Sequence, residues 1–83
     1  MSKIPIISVM DRNSEIKKAV GRRIKELRKE RNITQTQFAL MASVSRSYLA
    51  EVELGEKNFG FNTLVKIVDA FDMTLEQFFT GIR

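Results

Sequence analysis

Apolar residues recur along this chain at intervals of three or four positions, the spacing that gathers them on one face of an α-helix. The longest such series consists of Ile16, Val20, Ile24 and Leu27. Ahead of it, Asn13 or Ser14 can cap a helix N-terminus, and beyond it Asn32 tolerates the left-handed backbone that ends many helices. We therefore predict a first helix between these signals, preceded by an N-terminal arm over residues 1–12 and included in one domain over residues 13–83.

Two later segments begin with the same capping signal. Thr34 stands three positions before Gln37, and Thr74 stands three positions before Gln77. In this capping box the threonine hydroxyl accepts one unpaired backbone N–H, and the glutamine side chain accepts another. Apolar residues follow at helical spacing, namely Phe38, Ala39 and Ala42 after the first signal and Leu75, Phe78, Phe79 and Ile82 after the second. Both segments are therefore predicted to be short helices.

Between these two capping boxes the sequence predicts a tight turn and two more helices. Ser43–Ser45 forms the turn, and its last serine can cap a third helix, Arg46–Glu53. Gly55 ends that helix, and Asn62 or Thr63 begins a fourth. No long segment of alternating polar and apolar residues interrupts the helical pattern. The prediction is an all-α domain of five short helices.

Composition restricts the function by what the chain lacks. Its 83 residues include no cysteine and no histidine, so disulfides, thiolate metal sites and the commonest general base are excluded. The acidic residues are scattered, and there is no glycine-rich phosphate loop. We therefore predict no catalytic residue, no metal, no cofactor and no small-molecule ligand, and hence a protein that is not an enzyme.

The charge balance favours an anionic partner. The net charge is +4 at pH 7 and the sequence pI is about 9.8, and both nucleic acids and membrane surfaces attract such a protein. The partly apolar segment over residues 1–10 is too short for a signal-peptide core or a membrane span. We therefore predict a cytoplasmic protein without a membrane partner.

A set of residues between Ile24 and Phe79 occurs in an order and spacing shared with a known family. It comprises Ile24, Arg28, Ile33–Gln35, Phe38–Ala39, Val44–Ser45, Leu49, Val52–Glu53, Gly55, Thr63–Leu64, Ile67, Ala70 and Leu75. This arrangement resembles the phage-repressor-like (Cro/CI, xenobiotic-response-element type) helix-turn-helix family, which includes restriction–modification controller proteins. Ser43 and Phe59 depart from the family pattern, which usually has glycine at the turn and proline in the loop after the third helix.

The resemblance implies a fold and a function. The fold is a five-helix lambda-repressor-like DNA-binding domain, with helices 2 and 3 as the helix-turn-helix. The function is that of a sequence-specific transcriptional regulator, such as a repressor or controller protein. It would bind double-stranded DNA as a homodimer on a palindromic operator, with the recognition helix Arg46–Glu53 in the major groove. The alternative is an antitoxin or another protein-interaction module on the same fold.

The recognition helix supplies the candidate base contacts. With Leu49 and Val52 facing inward, the helical wheel turns the polar side of this helix toward solvent. Arginine can bind guanine, glutamate can accept from the cytosine amino group, and alanine can contact the thymine methyl. The predicted base contacts are Arg46, Ser47, Ala50 and Glu51. The predicted phosphate contacts are Gln35, a role that the resemblance supports, Tyr48, which either donates its hydroxyl to a phosphate or packs, and the loop residues Lys57 and Asn58.

Other charged residues are predicted to have structural roles. The resemblance implies a partly buried ion pair between Arg28 and Glu53, which would join the first helix to the recognition helix. Four basic residues of the first helix lie opposite its apolar face, so we predict that they are solvated and attract DNA only at long range. These residues are Lys18, Arg22, Lys25 and Lys29.

The last helix is predicted to form the homodimer interface. Five short helices cannot bury every aromatic residue of the second half of the chain, and related proteins commonly dimerise through this helix. The predicted interface residues are Leu75, Phe78, Phe79 and Ile82. The N-terminal arm, which contains Ile4, Ile6 and Ile7, either adds to this interface or is disordered.

Overall fold

The computed structural model describes the backbone of residues 6–82 and the side chains of residues 12–82. Within these bounds all regular secondary structure is helical, and no strand is present. The helices are α1 (Ile6–Glu30), α2 (Gln35–Met41), α3 (Arg46–Glu53), α4 (Phe61–Ala70) and α5 (Leu75–Thr80). The predicted all-α, five-helix architecture is therefore confirmed.

Local capping signals identified three helix starts correctly. Thr34 accepts the backbone N–H of Gln37 at 3.1 Å, and the Gln37 side chain accepts the backbone N–H of Thr34 at 2.9 Å. Thr74 and Gln77 form the same reciprocal pair at the start of α5. The Ser45 hydroxyl accepts a backbone N–H of α3 at 3.1 Å. These bonds satisfy donors that the first turn of a helix leaves unpaired, so each helix begins where its cap stands.

The predicted starts of the other two helices are wrong. Helix α1 begins at Ile6, so Asn13 and Ser14 lie inside it and part of the predicted arm is helical. A residue that can cap a helix can also occupy a solvated interior position, so its presence marks only a possible start. The arm's predicted roles in dimerisation or disorder lie with residues outside the described part of the chain. Helix α4 is capped by Gly60, not by Asn62 or Thr63, and Gly60 offers no side-chain hydrogen bond.

The core contains buried apolar residues from all five helices. Its centre is a stacked pair of rings, Phe38 on α2 and Phe71 at the end of α4, with centroids 4.1 Å apart. The predicted inner face of α1 is buried from Val20 onward, but Ile16 is 56% exposed, so that assignment is wrong for Ile16. The buried apolar residues are Val20, Ile24, Leu27, Phe38, Ala39, Ala42, Leu49, Val52, Ile67, Val68, Phe71 and Phe78.

Two arginines, Arg31 directly after α1 and Arg23 on α1, hold the C-terminal ends of α4 and α5. Arg31 donates to the carbonyl oxygen of Phe71 at 2.6 Å. Arg23 donates to the carbonyl oxygens of Phe78 at 2.7 Å and Gln77 at 3.0 Å. The last carbonyls of a helix have no partner within it, so each guanidinium satisfies acceptors that would otherwise stay unpaired.

Among the described residues, three positions other than glycine have a left-handed backbone, namely Asn32, Ser43 and Asp72. Asn32, after α1, has a φ of 56°, as its position predicted. Ser43, in the turn between α2 and α3, has a φ of 57°. Serine adopts this conformation at an energetic cost that glycine avoids. The turn that sets the angle between α2 and α3 is therefore strained at Ser43.

Helices α1 and α3 make backbone contact at Gly21. A Cβ atom placed there would lie 2.5 Å from the carbonyl oxygens of Val52 and Glu53. No side chain fits in that space, so only glycine permits this separation of the two helices. The contact fixes the C-terminal end of α3 directly against α1.

Candidate nucleic-acid interface

Helix α3 stands on the surface with its polar side free. Leu49 and Val52 are fully buried beneath it, which fixes its rotation about its own axis. Arg46 and Ser47 are exposed, and Ala50 and Glu51 are half-buried on the same outer side. The structure therefore brings the four residues proposed to contact bases onto one accessible face of one helix.

The C-terminal end of α3 is held by a buried ion pair between Arg28 and Glu53. Arg28 Nε donates to Glu53 Oε2 at 2.8 Å, and Arg28 Nη2 donates to Glu53 Oε1 at 3.0 Å. The two side chains are only 10% and 3% exposed. Hydrogen bonding to Glu53 raises the pKa of Arg28 above its ordinary value, an effect larger than the opposing one of burial. The structure thus contains the ion pair that the resemblance implied, in a two-pronged geometry.

Gln35, the first residue of α2, is joined to the same carboxylate. Its Nε2 donates to Glu53 Oε1 at 3.0 Å, and its side chain is half-buried. The sequence identified Gln35 as a phosphate contact and Glu53 as an ion-pair partner, but it did not connect the two. No sequence signal shows that two polar side chains, 18 positions apart, meet in the fold.

Three other candidate DNA contacts lie together, Tyr48 and Glu51 on α3 and Lys57 in the loop after it. Lys57 Nζ lies 3.9 Å from Glu51 Oε2 and 5.6 Å from the centroid of the Tyr48 ring. All three side chains keep solvent access. An exposed pair at this distance adds little stability, but the lysine offsets the negative charge of Glu51 on the face that would meet DNA. A phosphate contact by Lys57 would therefore compete with this pairing.

Asn58 lies in the loop after α3 and faces α1. Its side-chain oxygen accepts a hydrogen bond from Lys17 Nζ at 3.0 Å. No hydrogen bond joins the Asn58 side chain to Gln35, Tyr48 or Lys57. Asn58 is exposed, and its side-chain nitrogen is not used in this bond. It therefore lies at the edge of the candidate interface.

The predicted dimer surface on α5 is smaller than the sequence suggested. Leu75 and Phe79 are 39% and 42% exposed, and Ile82 is half-buried. Phe78 is fully buried and meets the ring of Phe79 edge to face, so its assignment to the interface is wrong. Helical spacing puts these residues on one side of α5, but only packing decides which of them α1 and α4 cover. Val65 of α4, 42% exposed, shares a groove with Leu75.

The basic residues on the outer side of α1 are exposed, as the helical wheel predicted. These residues are Lys18, Arg22, Lys25 and Lys29.

The described residues contain no group of three or more acidic, histidine or cysteine side chains able to hold a metal ion. Among the described helices, none combines the length and apolar character needed to cross a membrane.

Solved structures of other proteins share this fold. The restriction–modification controller protein C.AhdI from Aeromonas hydrophila superposes with a TM-score of 0.73 at 26% identity, over 77% of this chain and 97% of that one. A transcriptional regulator from Vibrio cholerae superposes with a TM-score of 0.77 at 28% identity, over 83% of this chain and 39% of that one.

Sequence comparison leads to the same family. The chain is 49% identical, over 51 residues, to the immunity repressor protein of Bacillus phage phi105. The match covers 61% of this chain and 35% of that repressor, so the chain spans about a third of its relative. Residues 24–78 match the sequence model of the helix-turn-helix family. Since that match covers most of the chain and includes α2, the turn and α3, this protein belongs to the helix-turn-helix family.

Proposed function

We propose that this protein is a sequence-specific transcriptional regulator that binds double-stranded DNA as a homodimer on a palindromic operator. The observation that carries the proposal is the accessible polar face of α3, which is held rigidly by buried residues on its other side. A helix fixed in this way can enter the major groove while α2 lies across the DNA backbone. The names of the relatives, an immunity repressor, a controller protein and a transcriptional regulator, support the same function.

The outer face of α3 provides the chemistry for reading bases. Arg46, exposed at the start of the helix, can donate two hydrogen bonds to guanine. Glu51 can accept from the amino group of cytosine, with its charge offset by Lys57. Ala50 can contact a thymine methyl group, and Ser47 can donate or accept.

Phosphate contacts would hold the helix in register. Backbone phosphates are proposed to bind to Gln35 at the start of α2, to Tyr48 on α3 and to Lys57 in the loop after α3. Asn58 would contact a phosphate at the edge of this surface. Lys57 carries a full charge, so its contact releases a counterion, whereas the three neutral side chains contribute only hydrogen bonds. Together these contacts fix the position of α3 without selecting a sequence.

The dimer is proposed to form through α5 and the adjoining part of α4. The exposed apolar residues of this surface are Leu75 and Phe79 on α5 and Val65 on α4. Ile82 lies half-buried beside α1. A two-fold axis through such a surface would place two recognition helices about 34 Å apart, in successive major grooves. The operator would then be a palindrome with half-sites one helical turn apart.

Selection of bound fragments from random duplexes tests this function. We expect a palindromic site with half-sites about 10 base pairs apart, and an affinity that falls as salt rises, because basic side chains release counterions from phosphates. The selected duplex should bind at least about a thousandfold more tightly than a shuffled one. If the selection enriches no sequence, and no duplex binds more tightly than shuffled DNA, the proposal is rejected in favour of a protein-interaction module on the same fold.

A further inference from the structure

Three helices meet at the carboxylate of Glu53. Oε2 accepts from Arg28 Nε at 2.8 Å, and Oε1 accepts from both Arg28 Nη2 and Gln35 Nε2 at 3.0 Å. Arg28 belongs to α1, Gln35 is the first residue of α2, and Glu53 is the last residue of α3. Among the described residues, no buried side-chain nitrogen or oxygen lacks a hydrogen-bond partner, so each buried polar atom of this network has at least one.

The network leaves Gln35 with unused hydrogen-bonding capacity. A glutamine amide carries two N–H groups, and Glu53 receives only one bond from it. Gln35 is half-buried, so the residue keeps solvent access while Glu53 accepts from one N–H of its amide. Its second N–H is available to an acceptor that approaches the start of α2.

The charge at this position permits an anion to approach. An unpaired carboxylate next to the DNA backbone would repel a phosphate. Glu53 instead shares both oxygens with the guanidinium of Arg28, so the pair has no net charge. A phosphate oxygen near Gln35 therefore meets a neutral, preorganised donor and no exposed carboxylate.

We infer that Glu53 is a positioning residue for DNA binding, which orients the Gln35 amide toward a backbone phosphate through the Arg28–Glu53 pair. The inference rests on the proposed function. One carboxylate would then position two elements. Glu53 is the last residue of the recognition helix α3, and it also holds the amide of Gln35, the proposed phosphate donor at the start of α2. A purely structural ion pair would stabilise the fold without influencing any particular phosphate.

Duplexes with single neutral linkages test the contact at Gln35. Each copy of the selected operator would carry one methylphosphonate, which lacks the charged oxygen of a phosphodiester. At the linkage that Gln35 contacts, the change should weaken binding about tenfold, as expected for a hydrogen bond to a charged acceptor. Gln35→Met removes the donor, so this variant should bind the native and the substituted duplex equally.

The neighbouring variant Thr36→Val serves as the matched control. Thr36 is exposed on the same turn of α2, and the substitution leaves Gln35 in place. This variant should keep the full tenfold response at that linkage. Because Gln35 is neutral, Gln35→Met should also leave the salt dependence of binding unchanged, whereas Lys57→Gln should reduce its slope by about one.

The role of Glu53 is tested by removing the ion pair as a unit. The double variant Arg28→Met with Glu53→Met leaves no stranded charge, and replacing a buried pair by apolar residues often preserves stability. We expect it to bind the operator more weakly than the wild type and to lose the response to the methylphosphonate. A folded double variant that keeps the full response would overturn the positioning role.

An NMR measurement on the wild-type chain tests the same inference without relying on the folding of a variant. In the complex with the native operator, both hydrogens of the Gln35 amide should be protected in NMR spectra, one by Glu53 and one by the phosphate. Methylphosphonate at the contacted linkage should release one hydrogen and leave the other protected. Unchanged protection of both would overturn the inference while specific DNA binding stood, whereas failure of the proposed function would show as no specific binding by the wild type.

Discussion

Glu53 and Glu51 stand on the same helix, but burial gives their ion pairs very different weight. Glu53 is almost completely removed from solvent and receives three N–H donors at 2.8–3.0 Å. Glu51 is about half exposed, and its nearest cation, Lys57, lies 3.9 Å away. Water screens the second pair, so it contributes little stability, whereas breaking the first leaves a charge stranded in the interior.

Removal of one member of the buried pair should therefore be costly. We expect Arg28→Met to lower the free energy of unfolding by about 3–5 kcal/mol, because Glu53 keeps its charge but loses two of its donors. Urea denaturation followed by circular dichroism measures this change. Lys57→Met is the surface control and should cost less than about 1 kcal/mol. A double-mutant cycle for Arg28 and Glu53 with a coupling energy near zero would contradict the role assigned to the pair.

Arg46 should determine specificity more than stability. Its side chain is exposed at the start of α3, so Arg46→Ala removes a proposed guanine contact without disturbing the core. The difference in binding free energy between operator and shuffled DNA should shrink by about 1–3 kcal/mol, the discrimination expected of one bidentate base contact. Parallel binding titrations on the two duplexes measure this difference. Lys25→Ala, on the outer side of α1, should leave it unchanged, and an unaltered difference for Arg46→Ala would remove that residue from the base contacts.

At the level of helices, the sequence predicted what is decided locally. The starts at Thr34, Ser45 and Thr74 were predictable because each cap bonds to a residue three positions later. The start of α4 at Gly60 was not, since a glycine cap has no side-chain signal. The burial of Phe78 and the carbonyl contacts of Arg23 depend on partners distant in sequence, which a helical pattern does not identify.

The contact between α1 and α3 depends on one glycine. Gly21→Ala would place a methyl group 2.5 Å from two backbone carbonyl oxygens of α3, and backbone cannot rotate away as a side chain can. We expect a loss of about 1–3 kcal/mol in stability, the usual cost of overpacking, measurable as a lower urea midpoint. Gly60→Ser is the control, because a Cβ there meets nothing within 4 Å and serine can cap α4. Equal stability of the two variants would contradict this close approach.

The turn of the helix-turn-helix should tolerate, and benefit from, glycine. Ser43→Gly relieves a left-handed backbone at φ 57° and should raise stability by about 1 kcal/mol. Asn32 has nearly the same φ, but asparagine adopts it more readily, so Asn32→Gly should gain less. Thermal unfolding of both variants compares the two gains. A loss of stability in Ser43→Gly would show that the serine side chain stabilises the turn by more than the backbone strain costs.

For the whole molecule, net charge overstates the attraction available to DNA. Three arginines of α1 and the turn after it are engaged within the fold: Arg28 with a carboxylate, and Arg23 and Arg31 with backbone carbonyls. The composition counts them equally with the exposed lysines. Of the basic residues on α1, only the solvated ones can act at long range, and salt screens them.

Assembly of the molecule should depend on the apolar surface of α5. The double variant Leu75→Glu with Phe79→Glu places two charges where the dimer would exclude water, so we expect a monomer of 9.6 kDa in sedimentation velocity. Its circular dichroism should remain helical, because both side chains are substantially exposed. Leu40→Glu, at an 82% exposed apolar residue of α2, is the control and should remain dimeric. A monomeric wild type, or a dimeric double variant, would place the interface elsewhere or remove it.

The two kinds of partner used by Arg28 and by Arg23 and Arg31 have different evolutionary consequences. Arg28 depends on the identity of residue 53, so a change at one position can be compensated by a change at the other. Arg23 and Arg31 donate to carbonyl groups, which every amino acid carries, so these acceptors persist whatever residue occupies positions 78 and 71. Lineages that diverge from this sequence should therefore exchange residues 28 and 53 together, whereas a change at position 78 or 71 removes only the ring beneath each guanidinium and keeps its acceptor.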